Sequence, residues 1–291
     1  MDGKEQWKYC IEPGKRKAEL GFWSLWQYRG LVYLFARRDF TSRYRQTFLG
    51  PIWMFLDPLM TTVVFTVVFG NMAKFPTMDT EASGDITIPA FLFYMISSIL
   101  WKYCANTVKD VSITLIGNVR IMSKVYYPRL VSPVASAISN QMTMWARLLL
   151  FVCFLAAGMI FGDVSAHITW RVLLFPLVIL QLMLLSLGVG LIISVLTVKY
   201  RDIGFGIDFG LQLLHYMTPV VYGLQLIPEK WVGLYMLNPL VQIMTTARYL
   251  CFGAGYFHTL PFLWSWAVTL FLFLAGVLSF NQTEKNFIDI I

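Results

Sequence analysis

Five ionisable side chains stand inside stretches too apolar to sit in water: Asp57, Lys102, Arg147, Asp208 and His215. An ionised group in hydrocarbon is costly, so by default each turns inward to a partner or to water and marks a functional site. Arg147, in the middle of its stretch, calls for a buried pair or a wet cavity. Asp57 and Lys102 lie nearer an interface and are expected to snorkel to it. Other chemistry is hard to build from this chain. His167, His215 and His258 are far apart, with no metal-ligand spacing. Cys10, Cys104, Cys153 and Cys251 show no CxxC spacing and read as small hydrophobes. There is no GxxxxGK[ST] phosphate loop, no HExxH and no GxSxG. Asp208-Phe209-Gly210 matches a kinase tripeptide without any other kinase element. These residues predict no metal, no cofactor bound by the chain and no bond chemistry of its own: it is not expected to be an enzyme.

Composition says what must position them. The chain has 291 residues, 57% hydrophobic and 13% charged, with mean hydropathy +0.63. A soluble domain carries about 25% charged residues, so an integral membrane protein is expected. The net charge of +7 is not read as a nucleic-acid surface, because the basic residues fall in the gaps between apolar runs. Residues 1–20 are polar, contain Lys15-Arg16-Lys17 and lack the apolar region of a signal peptide; they are expected to form a cytoplasmic tail.

Six segments are apolar enough to cross about 30 Å of hydrocarbon as helices of about 20 residues: Ile52–Met72, Ile88–Val108, Val131–Ile160, Val172–Val198, Phe205–Tyr222 and Phe262–Phe280. The fifth is short and interrupted at Thr218-Pro219-Val220. With both termini on the cytoplasmic side, the only lysines and arginines left in outer gaps are Lys74, Lys230 and Arg248. That bias sets the orientation and puts the Asn281-Gln282-Thr283 glycosylation match on the cytoplasmic side.

Ahead of the first span, Phe22 to Ala36 is aromatic but interrupted by Gln27 and Arg29, and too short to span. It is expected to be an amphipathic helix lying in the interface. A basic connector follows, with Arg37, Arg38, Arg43 and Arg45 ahead of Gly50-Pro51. The outer gap at 75–87 holds Asp79, Glu81 and Asp85 and reads as a polar loop. The gap at 223–261 is different: Trp231 to Leu250 is too apolar for a solvated loop and too interrupted for a span. It is expected to form one or two short re-entrant or interfacial helices, shielded by protein or lining a wet cavity. Small residues four apart, Gly206 with Gly210, Ser186 with Gly190 and Ser194, and Ser132 with Ser136, suggest close helix contacts. The aromatics of the outer half form either an ordinary membrane belt or a sugar-stacking surface, and composition does not choose between them.

Taken in order, Arg38-Asp39-Phe40 through Gly50-Pro51-Ile52-Trp53, Lys124-Val125-Tyr126-Tyr127-Pro128-Arg129-Leu130, Val198-Lys199-Tyr200-Arg201-Asp202-Ile203, and Thr218-Pro219-Val220-Val221-Tyr222 through Leu237-Asn238-Pro239 resemble type-2 ABC exporter permeases. The resemblance is to those that export O-antigen, capsular polysaccharide or teichoic acid, and it covers roughly residues 25–280. Three features depart from the family pattern: Asp57 where Asn or Gln is common, Arg147 in a span usually more apolar, and an N-terminal stretch without a counterpart.

The resemblance implies an all-α polytopic protein: tail 1–20, interfacial helix and connector 21–49, six-span permease domain 50–280 and cytoplasmic tail 281–291. It implies a homodimer in the cytoplasmic (inner) membrane, in contact with membrane lipid. Two copies of a separate cytoplasmic ABC ATPase would bind ATP and Mg, and a lipid-linked polysaccharide would be the substrate; nucleic acid is not a partner. A short coupling helix around Gly117, Asn118, Arg120 and Lys124 would dock on the ATPase, with Arg37 and Arg38 as a second contact. Phe65, Phe69, Phe209, His215, Tyr216 and Tyr222 would line the channel. Pro228, Trp231, Tyr235, Asn238 and Pro239 would belong to an outer gate. The alternatives are a type-2 ABC permease for drugs or lipids, a membrane glycosyltransferase, and an ion channel that needs no ATP.

Overall fold

A computed structural model describes residues 22–286 except 46, 76–87, 123, 126, 163–169, 201, 254 and 256, with backbone alone for 22–24, 120, 122 and 283–286. The tail 1–20, most of the outer loop at 75–87, Arg201 and the end of the C-terminal tail lie outside the described residues. Every regular element among those described is helical.

The described residues begin with two helices, α1 (Phe22–Gln27) and α2 (Arg29–Tyr44). The expected break between a helix ending at Ala36 and a connector through the arginines is corrected here. No Gly or Pro falls between Leu31 and Arg45, arginine is a good helix former, and the helix runs on to Tyr44. Its buried residues Val32, Phe35 and Ala36 pack with Tyr127 and with Val131 and Ala135 in the first turns of α6 (Val131–Phe161).

The first long apolar helix begins with a turn at Gly50–Ile52, where Gly50 has φ +51 and Pro51 fixes the next residue. It continues as α3 (Trp53–Phe65) and loosens into a π-helical stretch at Thr66–Met72. Thr62 and Thr66 return their hydroxyls to the carbonyls four residues back, which lets polar side chains sit on an apolar helix. Next come α4 (Ala90–Gly117) and the one-turn α5 (Val119–Met122). Then α6 ends at Gly162 in the left-handed region (φ +79), as a helix C-terminus favours. A 3-10 turn at Trp170–Leu174 leads into α7 (Phe175–Lys199), followed by α8 (Ile203–Tyr216).

Four helical runs are long and apolar enough to cross a membrane among the described residues: Gly50–Met72, Val131–Phe161, Trp170–Lys199 and Thr259–Gln282. The other two expected spans differ from that standard for physical reasons. α4 has the length, 28 residues, but carries Lys102, Lys109 and Asp110. α8 has 14 residues, about 21 Å at 1.5 Å per residue, and stops ahead of Pro219, which has no N–H to extend it.

Between α8 and α11 (Thr259–Asn286) lie two short helices, α9 (Glu229–Met236) and α10 (Pro239–Phe252). Asn238 caps α10, its side-chain oxygen accepting from Leu240 N at 3.0 Å, with Pro239 in the first turn. α10 is not a surface element: most of it is buried, against α4, α7 and α11. The 3-10 turn before α7 reaches it too, through Arg171 and Tyr249.

The main core lies between α4, α6, α7 and α10. Backbone proximity, not side-chain volume, joins α7 to α11. A Cβ on Gly188 would stand 2.6 Å from Phe273 Cα, and one on Gly276 would stand 2.5 Å from the Gly188 carbonyl oxygen. Gly190, of the small-residue stripe, packs instead on Val111 of α4, where a Cβ would come within 2.7 Å. Gly206 and Gly210 meet nothing within 4 Å in this chain.

Candidate functional site

At the N-terminal end of the molecule, α2 lies across α6 and reaches the far end of α4. Arg38 binds Asp39 at 2.7 Å and donates at 3.5 Å to the side-chain oxygen of Asn118. Asn118 follows α4 and caps it, donating from Nδ2 to the Thr114 carbonyl. Two candidate coupling residues 80 positions apart are thus neighbours. Gly117 closes α4 and leaves it exposed, while Arg37 and Lys124 are also exposed. The side chain of Arg120 lies outside the described residues. One turn along α2, Arg43 binds Asp110 of α4 at 2.8 Å and also Asn140 of α6, and Asn140 in turn donates to Asp110 at 2.9 Å. Sequence reading passed over Asp110 and Asn140. Their signal was present, an acid beside Lys109 and an amide in an apolar run, but neither shows its partner locally.

Three of the five ionisable residues of the apolar stretches converge. Asp57 of α3 binds Lys102 of α4 at 2.6 Å through one carboxylate oxygen and Arg147 of α6 at 3.1 Å through the other. Lys102 also donates to Thr61 Oγ at 2.8 Å, and Arg147 Nε to the Met54 carbonyl at 3.2 Å. Asp57 and Lys102, expected to snorkel, are paired with each other, and the Asp57 side chain keeps 47% of its surface exposed. The buried pair expected for Arg147 is present. One carboxylate serves two cations, so the cluster carries a net positive charge and joins three helices. Lys109, facing away from Asp110, binds Asp208 of α8 at 2.7 Å, with both side chains largely exposed.

The aromatic candidates divide. Phe65, Phe69 and His215 come together: Phe65 lies 5.8 Å from Phe69 and stacks with His215 at 6.2 Å. Trp101 and Tyr94 of α4 complete the group, Trp101 at 4.9 Å from His215. Tyr216 meets the group edge-on, its ring 5.7 Å from that of His215, while its side chain is largely exposed; Phe209 is exposed on α8. The Tyr222 hydroxyl donates to the Tyr216 carbonyl at 2.7 Å and hydrogen-bonds the hydroxyl of Tyr235 on α9. Burial, and then that contact, raise Tyr235 above the ordinary phenol range, so it stays a neutral hydroxyl. Pro228 precedes α9, Trp231 on it is exposed, and Asn238 and Pro239 form the start of α10. The two halves of the expected gate are therefore a helix start and a tyrosine pair.

Among the described residues no group of three or more His, Cys, Asp or Glu could hold a metal ion. The arrangement offers charge pairs, aromatic faces and helix joints.

A sequence model of the ABC-2 type transporter family matches residues 30–252. The O-antigen export system permease protein RfbA of Myxococcus xanthus is 30% identical over 81% of this chain and 84% of its own length. A protein of the same name from Klebsiella pneumoniae is 23% identical over 90% and 95%. The polysialic acid transport protein KpsM of Escherichia coli is 22% identical over 72% and 77%.

Proposed function

The chain belongs to the ABC-2 type transporter family, and from that premise we propose that it is the transmembrane permease subunit of an ATP-driven exporter. Its substrate is a lipid-linked polysaccharide such as O-antigen, capsule or teichoic acid, moved across the cytoplasmic (inner) membrane. The observation that carries the substrate class is the likeness to O-antigen export permeases along nearly the whole chain. The subunit works as a homodimer with two copies of a cytoplasmic ATPase, which binds ATP and Mg, and both its termini are cytoplasmic.

In this reading the ATPase pushes on the joint where Arg38 meets Asn118. The push reaches the interior by three charge links: Arg43 to Asp110, Lys102 to Asp57, and Lys109 to Asp208. Each runs between α4 and a neighbour, so α4 is the lever. The exposed face of α8, with Phe209 and Tyr216, and the aromatic group around Phe65, Phe69 and His215 form the wall along which sugar rings slide. Aromatic faces suit sugars because the C–H face of a pyranose packs on a ring, and each contact is weak enough to release. The segment from Tyr222 through α9 to Asn238 and Pro239 closes the outer end.

Deleting residues 118–124 tests the coupling. The expected result is a chain that still inserts and assembles but no longer exports when ATP is supplied; undiminished export by that deletion would overturn the assignment.

A further inference from the structure

Arg248 was counted with the outer-loop cations, yet it is 5% exposed. No carboxylate pairs with it among the described residues. A buried guanidinium without a counter-ion must be met by dipoles, and every one of its partners is of that kind. Nε and one terminal nitrogen donate to Ser97 Oγ of α4 at 2.9 and 2.7 Å. The same terminal nitrogen donates to the Pro219 carbonyl and, at 3.3 Å, to the Val220 carbonyl. The guanidinium lies 3.8 Å over the face of Phe93, a cation on the negative side of a ring.

The carbonyls explain the site. α8 ends at Tyr216, and the bend that follows buries Thr218 and Val220 completely. The carbonyls of Pro219 and Val220 lie in this bend, outside any helical ladder that would supply their donors. Buried and unserved, they would cost about 1–3 kcal/mol each. Arg248 supplies the donors from α10. The bend it holds continues to Tyr222, which is bound in turn to Tyr235 of α9. One side chain therefore ties α4, the end of α8 and α10, and fixes the segment on which the tyrosine pair closes.

We propose that Arg248 is the positioning residue of the outer gate. It pins the bend after α8 in the closed arrangement, and the gate opens when its carbonyl partners are given up. This rests on the reading of α9 and its surroundings as a gate, but its test needs neither polysaccharide nor ATPase. Purified wild-type, R248Q, R248K and S97A chains are reconstituted into liposomes loaded with self-quenched carboxyfluorescein, and dye release is followed without nucleotide. Size-exclusion and thermal melts in detergent check folding.

R248Q is expected to release dye about fivefold faster or more, the factor that about 1 kcal/mol gives in a two-state equilibrium. S97A and R248K, which keeps a donor but loses the fork, are expected to fall between. A folded R248Q as tight as wild type overturns the proposal; a purely structural role would lower the melting temperature without raising release. If R248Q does not fold, S97A decides, and release at the wild-type rate counts against the proposal. Should the wild type fail to export polysaccharide while R248Q still leaks, the export reading falls and the gate assignment stands.

Discussion

Arg147 donates from Nε to the carbonyl of Met54, the one carbonyl of α3 that Pro58, four residues on, has no N–H to serve. The arginine fills a hole that the proline makes in the helix ladder, and its other arm reaches Asp57. Such rescue by a neighbouring helix is what allows a proline inside an apolar helix. R147M is therefore expected to lower the melting temperature of the purified protein. In a P58A background, where Met54 regains a helical partner, the loss should shrink by about 1 kcal/mol. Equal losses in the two backgrounds would show that the carbonyl contact carries no weight.

The glycines of α7 and α11 predict a contrast. G188A and G276A each drive a methyl into backbone at 2.6 and 2.5 Å, and backbone cannot step aside as a side-chain tip can. Overpacking of this kind costs about 1–3 kcal/mol, visible as a lower melting temperature. G206A meets open space and gains helix propensity, so the monomer should be unharmed. The face of α8 at Gly206 is open in this chain and small residues favour close helix contacts, so we expect it to meet the second copy of the proposed homodimer, and G206L should reduce the dimer fraction in mild detergent. Unchanged dimerisation would move that face to lipid.

Lys109 and Asp208 are close, at 2.7 Å, but their side chains are 47% and 66% exposed. An ion pair so open to solvent contributes about 0–1 kcal/mol. K109Q and D208N should therefore leave thermal stability almost unchanged while lowering ATP-driven export, since the pair is one of the links from α4 to α8. The swap K109D with D208K should recover part of the loss. Failure of the swap to recover any export would remove the pair from the transmission path.

At the proposed docking joint, R38A and N118A separate α2 from the end of α4. Each should weaken coupling, measured as polysaccharide exported per ATP hydrolysed, and the double variant should be little worse than either alone because they share one contact. Strictly additive losses would show that the two residues act independently.

Much of the fold was legible because it depends on local pattern. The apolar runs gave four of the long helices, Asn238-Pro239 is a cap readable in two letters, and Thr218-Pro219 announced the end of α8. The pairings were not legible, because Asp57 and Lys102 are joined only when α3 and α4 pack, and nothing near either residue records it. The partners of Arg248 were not legible for a related reason. Its burial follows from α10 folding inward against α4, α7 and α11, whereas the sequence shows only an apolar stretch with one cation. The helical course of Arg37 to Tyr44 was missed because charge density was taken as a connector, although no breaker occurs before Gly50.

The central claim is tested most directly by reconstituting the chain with an ABC ATPase in liposomes and measuring ATP-dependent translocation of a lipid-linked polysaccharide to the opposite face. The account predicts translocation that requires both proteins, ATP and Mg, and that stops when the ATPase is inactivated. Translocation that continues without ATP, or a complex that hydrolyses ATP and moves drugs or lipids but no polysaccharide, would contradict it.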